Sequence, residues 1–293
     1  MAWIARLPER STVAVEGPDA EKFLQDLVTN DMDLLKAQGA MHAGLLSPQG
    51  KILFEFIVVP TSRGFALDTL RARAKDLVKR LSLYKLRAKV DIVDRGEEQD
   101  IYAAWGDGAA EIAPDAYADP RLPALGVRLM RPRSSPLAST DSANAYAAHR
   151  IALGIPEADT DYALGEAFPH EAGFDILHGV AFDKGCFVGQ EVVSRVQHRG
   201  TARKRFVIVT ANAALPPAKT EITAGAEPTR AVIGAMGSTA GTSGLALVRL
   251  DRAAEALAKG QTIMAGDVEV SLRVPPWAPY ALSAPAQESE AAP

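Results

Sequence analysis

The sequence predicts an α+β body followed by a small β-barrel, and two patterns carry that prediction. Over the first two hundred residues, stretches with apolar residues at helical spacing mix with alternating strands, and tight-turn residues separate neighbouring strands. From Phe206 onward the chain turns to short strands divided by Gly and Pro at intervals, as a small barrel requires. There is no internal repeat and no phosphate-binding loop of the Walker or dinucleotide type. The expected division is residues 1–200 for the body, as one unit or two subdomains, 201–276 for the barrel and 277–293 for a disordered tail rich in Ala, Pro, Ser and Glu.

Residues 11–16 alternate as a short strand, and Gly17-Pro18-Asp19 then opens a helix through Phe23, Leu24, Leu27 and Val28 that ends at Thr29-Asn30-Asp31. Residues 41–46 and 52–59 flank Ser47-Pro48-Gln49-Gly50, a turn with Pro second and Gly last, so they form a hairpin. The second of these strands is apolar nearly throughout and is expected at the centre of a sheet, buried on both faces. A third strand follows at 64–69. An amphipathic helix comes next, with Leu70, Ala74, Leu77, Val78 and Leu81 on one side and Arg71, Arg73, Lys75, Lys79 and Arg80 on the other, a face that is ordinarily solvated. Residues 85–94 alternate as a strand, and 113–136 read as an irregular connection around one strand at 126–130. A helix resumes near Ser139, with Thr140 and Asp141 offering caps, and runs through Tyr146, His149 and Ile151 until Gly154 and Pro156 stop it. Residues 159–181 read as loop. The barrel strands are expected at 206–209, 220–223, 230–236, 245–250 and 268–274, interrupted by one helix at 251–259.

With 293 residues, 47% of them hydrophobic, each unit can bury a sizeable core. No apolar run reaches the roughly eighteen residues that a membrane span needs. The start of the chain has neither the apolar core of a signal peptide nor the Arg-rich, acid-free character of a transit peptide. A cytoplasmic protein is therefore expected, or a mitochondrial-matrix one if the source is eukaryotic, with no membrane partner. A single cysteine excludes an intrachain disulfide and a self-contained zinc or iron–sulfur site. Histidines 42, 149, 170, 178 and 198 show no metal-ligand spacing, so no metal site is expected. A net charge of −4 argues against a dedicated nucleic-acid binder, with a local patch left open.

The one cysteine, Cys186, lies where most chemical side chains converge, in Lys184-Gly185-Cys186-Phe187-Val188-Gly189-Gln190-Glu191-Val192-Val193-Ser194-Arg195. Gly185 and Gly189 suit a tight backbone turn. Val192, Val193 and Val196 fall at helical spacing from Gln190 to Gln197, which puts the thiol in a loop feeding a helix N-terminus. The helix start and the Lys184 charge two residues away would favour a thiolate there. Glu191 and Arg195 are placed for an i,i+4 ion pair. The bland alternative is an inert, buried cysteine.

The string Lys184-Gly185-Cys186-Phe187 followed by Gly189-Gln190-Glu191 and Arg195 resembles the signature of the YgfZ/Iba57 family. These are folate-binding relatives of the glycine-cleavage aminomethyltransferase that support iron–sulfur enzymes. The resemblance extends to Leu27-Val28-Thr29-Asn30-Asp31, to the Gly50-Lys51 pair and to Arg150-Ile151 with Gly154 and Pro156. It implies an aminomethyltransferase-like, folate-binding body whose central cavity takes tetrahydrofolate and is closed by the barrel. It also implies Cys186 facing the folate as a reactive or transient ligand thiol, kept anionic by Lys184, with Gly185, Gly189, Gln190, Glu191 and Arg195 fixing the loop.

The same resemblance sets Tyr146 against the pterin, Glu171 at its aminopyrimidine edge, and Asn30 and Arg195 among the folate contacts. Three of these have a plain alternative: for Tyr146 a core tyrosine, for Glu171 a surface carboxylate, and for Asn30 a helix C-terminus in left-handed conformation. The basic run from Arg195 to Arg205 reads as a linker into the barrel whose cations suit an anionic glutamate tail. The implied partners are folate and iron–sulfur client enzymes or assembly proteins, chiefly of the [4Fe–4S] type. Whether a reaction is catalysed stays open. The competing readings are a tetrahydrofolate-dependent aminomethyltransferase, whose counterpart of the signature lacks this cysteine, and a tRNA-modification factor.

Overall fold

A computed structural model describes residues 1–200, 202–226 and 230–282. The first half of the body is a five-stranded antiparallel sheet in the order β3-β4-β5-β2-β6. Its strands are β2 (Arg10–Glu16), β3 (Met41–Leu46), β4 (Ile52–Thr61), β5 (Gly64–Leu70) and β6 (Asp91–Asp94), and it is joined through the short β1 (Ala2–Arg6) to a second sheet. The β3–β4 hairpin turns at Ser47–Gly50 as its residues dictate: the Gly50 N–H donates to the Ser47 carbonyl at 2.8 Å and Gly50 takes φ +76°. As expected, β4 lies inside the sheet and buries Ile52, Phe56 and Val58.

Helices α1 (Ala20–Gln25), α2 (Met32–Gln38) and α3 (Arg71–Lys85) pack Phe23, Leu24, Leu35, Leu77 and Leu81 into one core with the sheet. Helix α1 stops at Gln25, short of the expected end, and α2 was not anticipated. The Asp31 carboxylate caps α2 by accepting from the Asp33 N–H at 3.0 Å, so Thr29-Asn30-Asp31 joins two helices where one was expected to end. The expected strand at 85–94 is reduced to β6, because α3 keeps its apolar stripe through Lys85 and ends at Leu86 with φ +41°.

The second sheet has the order β1-β7-β9-β8, with β7 (Gln99–Gly106), β8 (Tyr117–Ala118) and β9 (Val127–Pro132). Helix α4 (Ala143–Ala152) covers it through Tyr146, and Ile155 just beyond the helix joins the same core. The cap of α4 is Ser142, whose Oγ accepts from the Ala145 N–H at 3.2 Å. Ser139 and Thr140 instead accept from the β1 amides of Arg6 and Ile4. Helix α5 (Gln190–Arg199) then leads to the barrel, a seven-stranded sheet in the order β15-β14-β11-β12-β13-β10-β16. Its strands are β10 (Lys204–Thr210), β11 (Glu221–Ala224), β12 (Ala231–Ala240), β13 (Ser243–Arg249), β14 (Ile263–Ala265), β15 (Val268–Glu269) and β16 (Ser271–Arg273), with α6 (Leu250–Ala258) between β13 and β14.

The chain does not come loose after Pro275 as expected. The Trp277 indole donates to the Leu153 carbonyl at 2.8 Å, the Tyr280 hydroxyl donates to the Phe206 carbonyl at 2.7 Å, and Pro275 lies against Gly154. An aromatic strap therefore ties the end of the barrel to α4, because two large rings bury more area than the entropy of ordering a few residues opposes. Residues 283–293 of the expected tail lie outside the described residues.

Candidate functional site

Cys186 is exposed, on the loop that enters α5. Both flanks of the thiol are pinned. On one side the Lys184 ammonium donates to the carbonyls of Gln25 and Val28, each at 2.7 Å, and of Asn30 at 2.9 Å. These three acceptors lie at the end of α1 and in the link to α2, where carbonyls have no helical partner. On the other side Phe187 is buried with Leu46, Ile52 and Val193. Gly189 takes φ +83° beside the β3–β4 turn, where a Cβ would come within 2.6 Å of the Ser47 carbonyl. The glycine is thus required by both backbone conformation and space, as the sequence suggests. Gly185 has open space around it. Gln190 starts α5 with its N–H on the Phe187 carbonyl at 3.2 Å, and Glu191 and Arg195 form their surface ion pair at 3.0 Å.

All three Lys184 protons go to backbone carbonyls, so the side chain tethers the loop to the α1–α2 link, a part that the sequence does not announce. Burial pulls its pKa down to about 8, with Asp31 and Asp26 opposing.

A second concentration of chemistry lies inside the body. Arg128 is almost wholly buried and bridges two carboxylates, Asp68 at 2.7 Å and Asp119 at 3.0 Å. Arg10 closes on Asp68 at 2.7 Å, and Arg121 holds Asp119 through two hydrogen bonds of 2.9 and 2.8 Å. Burial alone would raise the Asp119 carboxyl, but the guanidiniums of Arg121 and Arg128 outweigh it and hold it well below the usual range.

Beside this ladder three groups have no hydrogen bond among the described residues, two of them buried and one, the Glu157 carboxylate, partly exposed. The buried Tyr146 hydroxyl and the Arg150 Nε have none. The Glu157 carboxylate stands 3.7 Å from both Arg10 and Arg150, too far to bond either. The other Arg150 nitrogens are committed to the Asp161 carboxylate at 2.8 Å and the Ser238 hydroxyl at 2.9 Å, which ties β12 of the barrel to the body. Buried polar groups left open in a native interior mark a place for water or a ligand.

The other expected contacts do not gather there. Asn30 is saturated: its amide donates to the His42 and His178 carbonyls at 2.9 and 2.7 Å, and its oxygen accepts from the Asp31 N–H at 2.8 Å. It clamps three segments together and is not left-handed. Glu171 accepts from the Phe168 N–H at 3.0 Å and lies 3.9 Å from Lys204, on the wall of a cleft of about 1130 Å³ between body and barrel. Lys51 lies in the same wall, 3.2 Å from the Phe168 ring centroid. Tyr146 packs against Trp105 at 5.4 Å in the core of the second sheet. No hydrogen bond, ion pair or ring contact links it to the Cys186 loop among the described residues. In the basic run, Arg195 belongs to α5, and Arg205 is spent on Asp175 at 2.7 Å. Sequence reasoning missed Arg10, Asp68, Asp119, Arg121, Arg128 and Glu157. The available signal was Arg128 between Val127 and Leu129, a charge inside an apolar strand.

Glu55 yields a pH prediction. It sits in the apolar run of β4, takes the Tyr162 hydroxyl at 2.6 Å and lies 3.1 Å from the His42 ring. Burial would raise its pKa, but His42 and Tyr162 bring it down to about 2. A depressed carboxylate contributes stability that is present above the unfolded value near 4.5 and is lost as pH falls toward 2. Glu55→Gln is expected to flatten the acid limb of a urea-midpoint profile by about 3 kcal/mol between pH 5 and 2. An unchanged acid limb would remove Glu55 from that account.

Residues 203–280 match the model for the CAF17 C-terminal beta-barrel domain, which spans β10 to the aromatic strap. A Neurospora crassa protein named iron-sulfur cluster assembly factor IBA57 homolog, mitochondrial, is 33% identical over 236 residues, covering 70% of this chain and 53% of that protein. A Dictyostelium discoideum protein of the same name is 30% identical, covering 69% and 61%. One from Coccidioides immitis is 28% identical, covering 93% and 82%. The chain spans just over half the length of the first of these relatives. Among solved structures, the glycine cleavage system aminomethyltransferase T of Bartonella henselae superposes with a TM-score of 0.69 at 16% identity, covering 94% of this chain and 86% of that one, a likeness of fold.

Proposed function

We infer that this chain, a homologue of the Iba57 iron–sulfur cluster assembly factors with a CAF17-type C-terminal barrel, works in iron–sulfur cluster assembly or repair through Cys186. The observation that carries the reading is an exposed thiol on a loop pinned on both sides. A free surface cysteine would be mobile. Here Lys184, Phe187 and Gly189 fix the backbone around it, so a partner meets the sulfur at a defined position. The chain has one thiolate to offer, which suits a transient ligand to a cluster shared with another protein and not a resident site. On binding iron the thiol gives up its proton, and the exposed position leaves water to take it.

Tetrahydrofolate is the interior ligand of this reading, and the open groups beside the charge ladder suit a pterin. The Glu157 carboxylate can accept two N–H bonds from an aminopyrimidine edge, a role the sequence reading gave to Glu171. The Tyr146 hydroxyl and the Arg150 Nε–H can donate to ring acceptors. Tetrahydrofolate, when bound, supplies reduced nitrogens that carry one-carbon units. The residues themselves bind, orient and exclude water. The aminomethyltransferase-like fold also keeps a second reading in view, one-carbon transfer from an aminomethyl carrier to the folate. An assay with lipoylated carrier protein separates the two.

The test has two arms. In cells lacking the protein, Cys186→Ser is expected to restore less than about a tenth of the activity of [4Fe–4S] client enzymes that the wild type restores, while folding normally. Full restoration would take the thiol out of the mechanism. In calorimetry, Glu157→Gln is expected to weaken tetrahydrofolate binding by about tenfold or more. Wild-type protein that releases no heat would remove folate.

A further inference from the structure

We propose that the outer face of α3 and the shallow groove beside it form a docking surface for an acidic, leucine-bearing segment of a partner protein. Between Arg71 and Lys89 the chain carries eight Lys and Arg against the single Asp76, although the whole protein has a net charge of −4. Some of these cations are committed: Arg71 donates to the carbonyls of Pro8 and Gly96, Arg73 pairs with Asp159, and Lys85 lies 3.6 Å from Asp91. Lys75, Lys79, Arg80, Arg87 and Lys89 are exposed and carry no ion pair among the described residues. In an acidic protein, such a cluster on one helix and its exit is a field that attracts and orients a negative partner.

The same face is not purely polar. Leu83 is 65% exposed and Leu86 is 90% exposed. Leu83 opens onto a groove of about 380 Å³ whose floor is Leu53, Phe54 and Leu164 and whose rim includes Lys79 and Arg80. Apolar side chains offered to water between unpaired cations match a protein segment that brings carboxylates and leucines together. RNA is the poorer fit. Single-stranded nucleic acid needs rings on which bases stack, and the one ring in this groove, Phe54, is 7% exposed.

The surface also has a useful position. Leu53 and Phe54 follow the β3–β4 turn along β4, and Gly50 of that turn touches Val192 of α5 and lies beside Gly189 of the Cys186 loop. At roughly 3.3 Å per strand residue, the groove begins about 10 Å from the turn that supports the thiol loop. A partner held in the groove lies near the turn against which the Cys186 loop packs. The binding itself does not depend on the thiol reading.

The experiment is fluorescence anisotropy with a labelled peptide of about twelve residues alternating Glu and Leu, beside a Lys and Leu peptide and a single-stranded RNA of similar length. The acidic peptide is expected to bind, and to weaken about tenfold between roughly 0.05 and 0.3 M salt. Lys79→Glu combined with Arg80→Glu is expected to reduce affinity at least about tenfold, and Leu83→Ser about threefold, while Cys186→Ser leaves it unchanged. Lys259→Glu, a charge reversal at the C-terminal cap of α6, serves as the control and is expected to change nothing. No binding of the acidic peptide, equal binding by the reversed-charge protein, or a preference for the RNA would each overturn the proposal.

Discussion

Asp68→Asn is expected to lower the unfolding free energy by about 3–5 kcal/mol, a shift of roughly 10 °C in melting temperature for a chain of this size. Asp68 is wholly buried and accepts from three donors: Arg10 at 2.7 Å, Arg128 at 2.7 Å and the Tyr117 hydroxyl at 3.3 Å. Removing its charge keeps the volume but, among the described residues, leaves Arg10 with Glu157 at 3.7 Å as its only counter-charge and Arg128 with Asp119 alone. Uncompensated guanidinium charge in a dry interior costs far more than any lost contact. The matched control is Glu191→Gln, which breaks the Glu191–Arg195 pair on the surface of α5. Water and salt already screen that pair, so the control is expected to change stability by less than about 0.5 kcal/mol. Urea midpoints of the two variants decide the matter: similar shifts would mean that the ladder does not hold the body together.

That contrast explains what could be read from the sequence. The Ser47–Gly50 turn, helix α3, helix α5 and most of the barrel strands are fixed by residues close together in the chain, and local spacing found them. The i,i+4 pair of Glu191 and Arg195 was legible for the same reason. Strand β1 was missed because five residues that pair only with β7, about a hundred positions away, leave a weak local pattern. Strand β7 was missed for the same reason, as the centre of a sheet whose other members lie on either side of it in sequence.

The charge ladder was invisible on harder grounds. Arg10, Asp68 and Arg128 come from three strands and Asp119 from the loop after β8, and no single-window pattern says that an Arg on one strand will meet an Asp far away in the chain. The Cys186 loop shows the mixed case. Its glycine at 189 could be predicted from turn chemistry. The destination of Lys184 could not, because its acceptors are carbonyls that only a folded α1 presents.

Lys184→Met is expected to loosen the thiol loop. The substitution keeps an apolar stem but removes three donors from the carbonyls of Gln25, Val28 and Asn30. Hydrogen bonds to a charged group are worth about 1.5–3 kcal/mol each, and relief of the ammonium's desolvation offsets part of that loss. A net destabilisation of roughly 2 kcal/mol is expected, concentrated in the loop and the α1–α2 link. Amide exchange should therefore quicken at residues 184–189 and 26–31 while the amides of β4 and β5 stay protected. Client-enzyme activity is expected to fall with it, because the sulfur is no longer held at a fixed place. Unchanged amide exchange at both segments would overturn the tether.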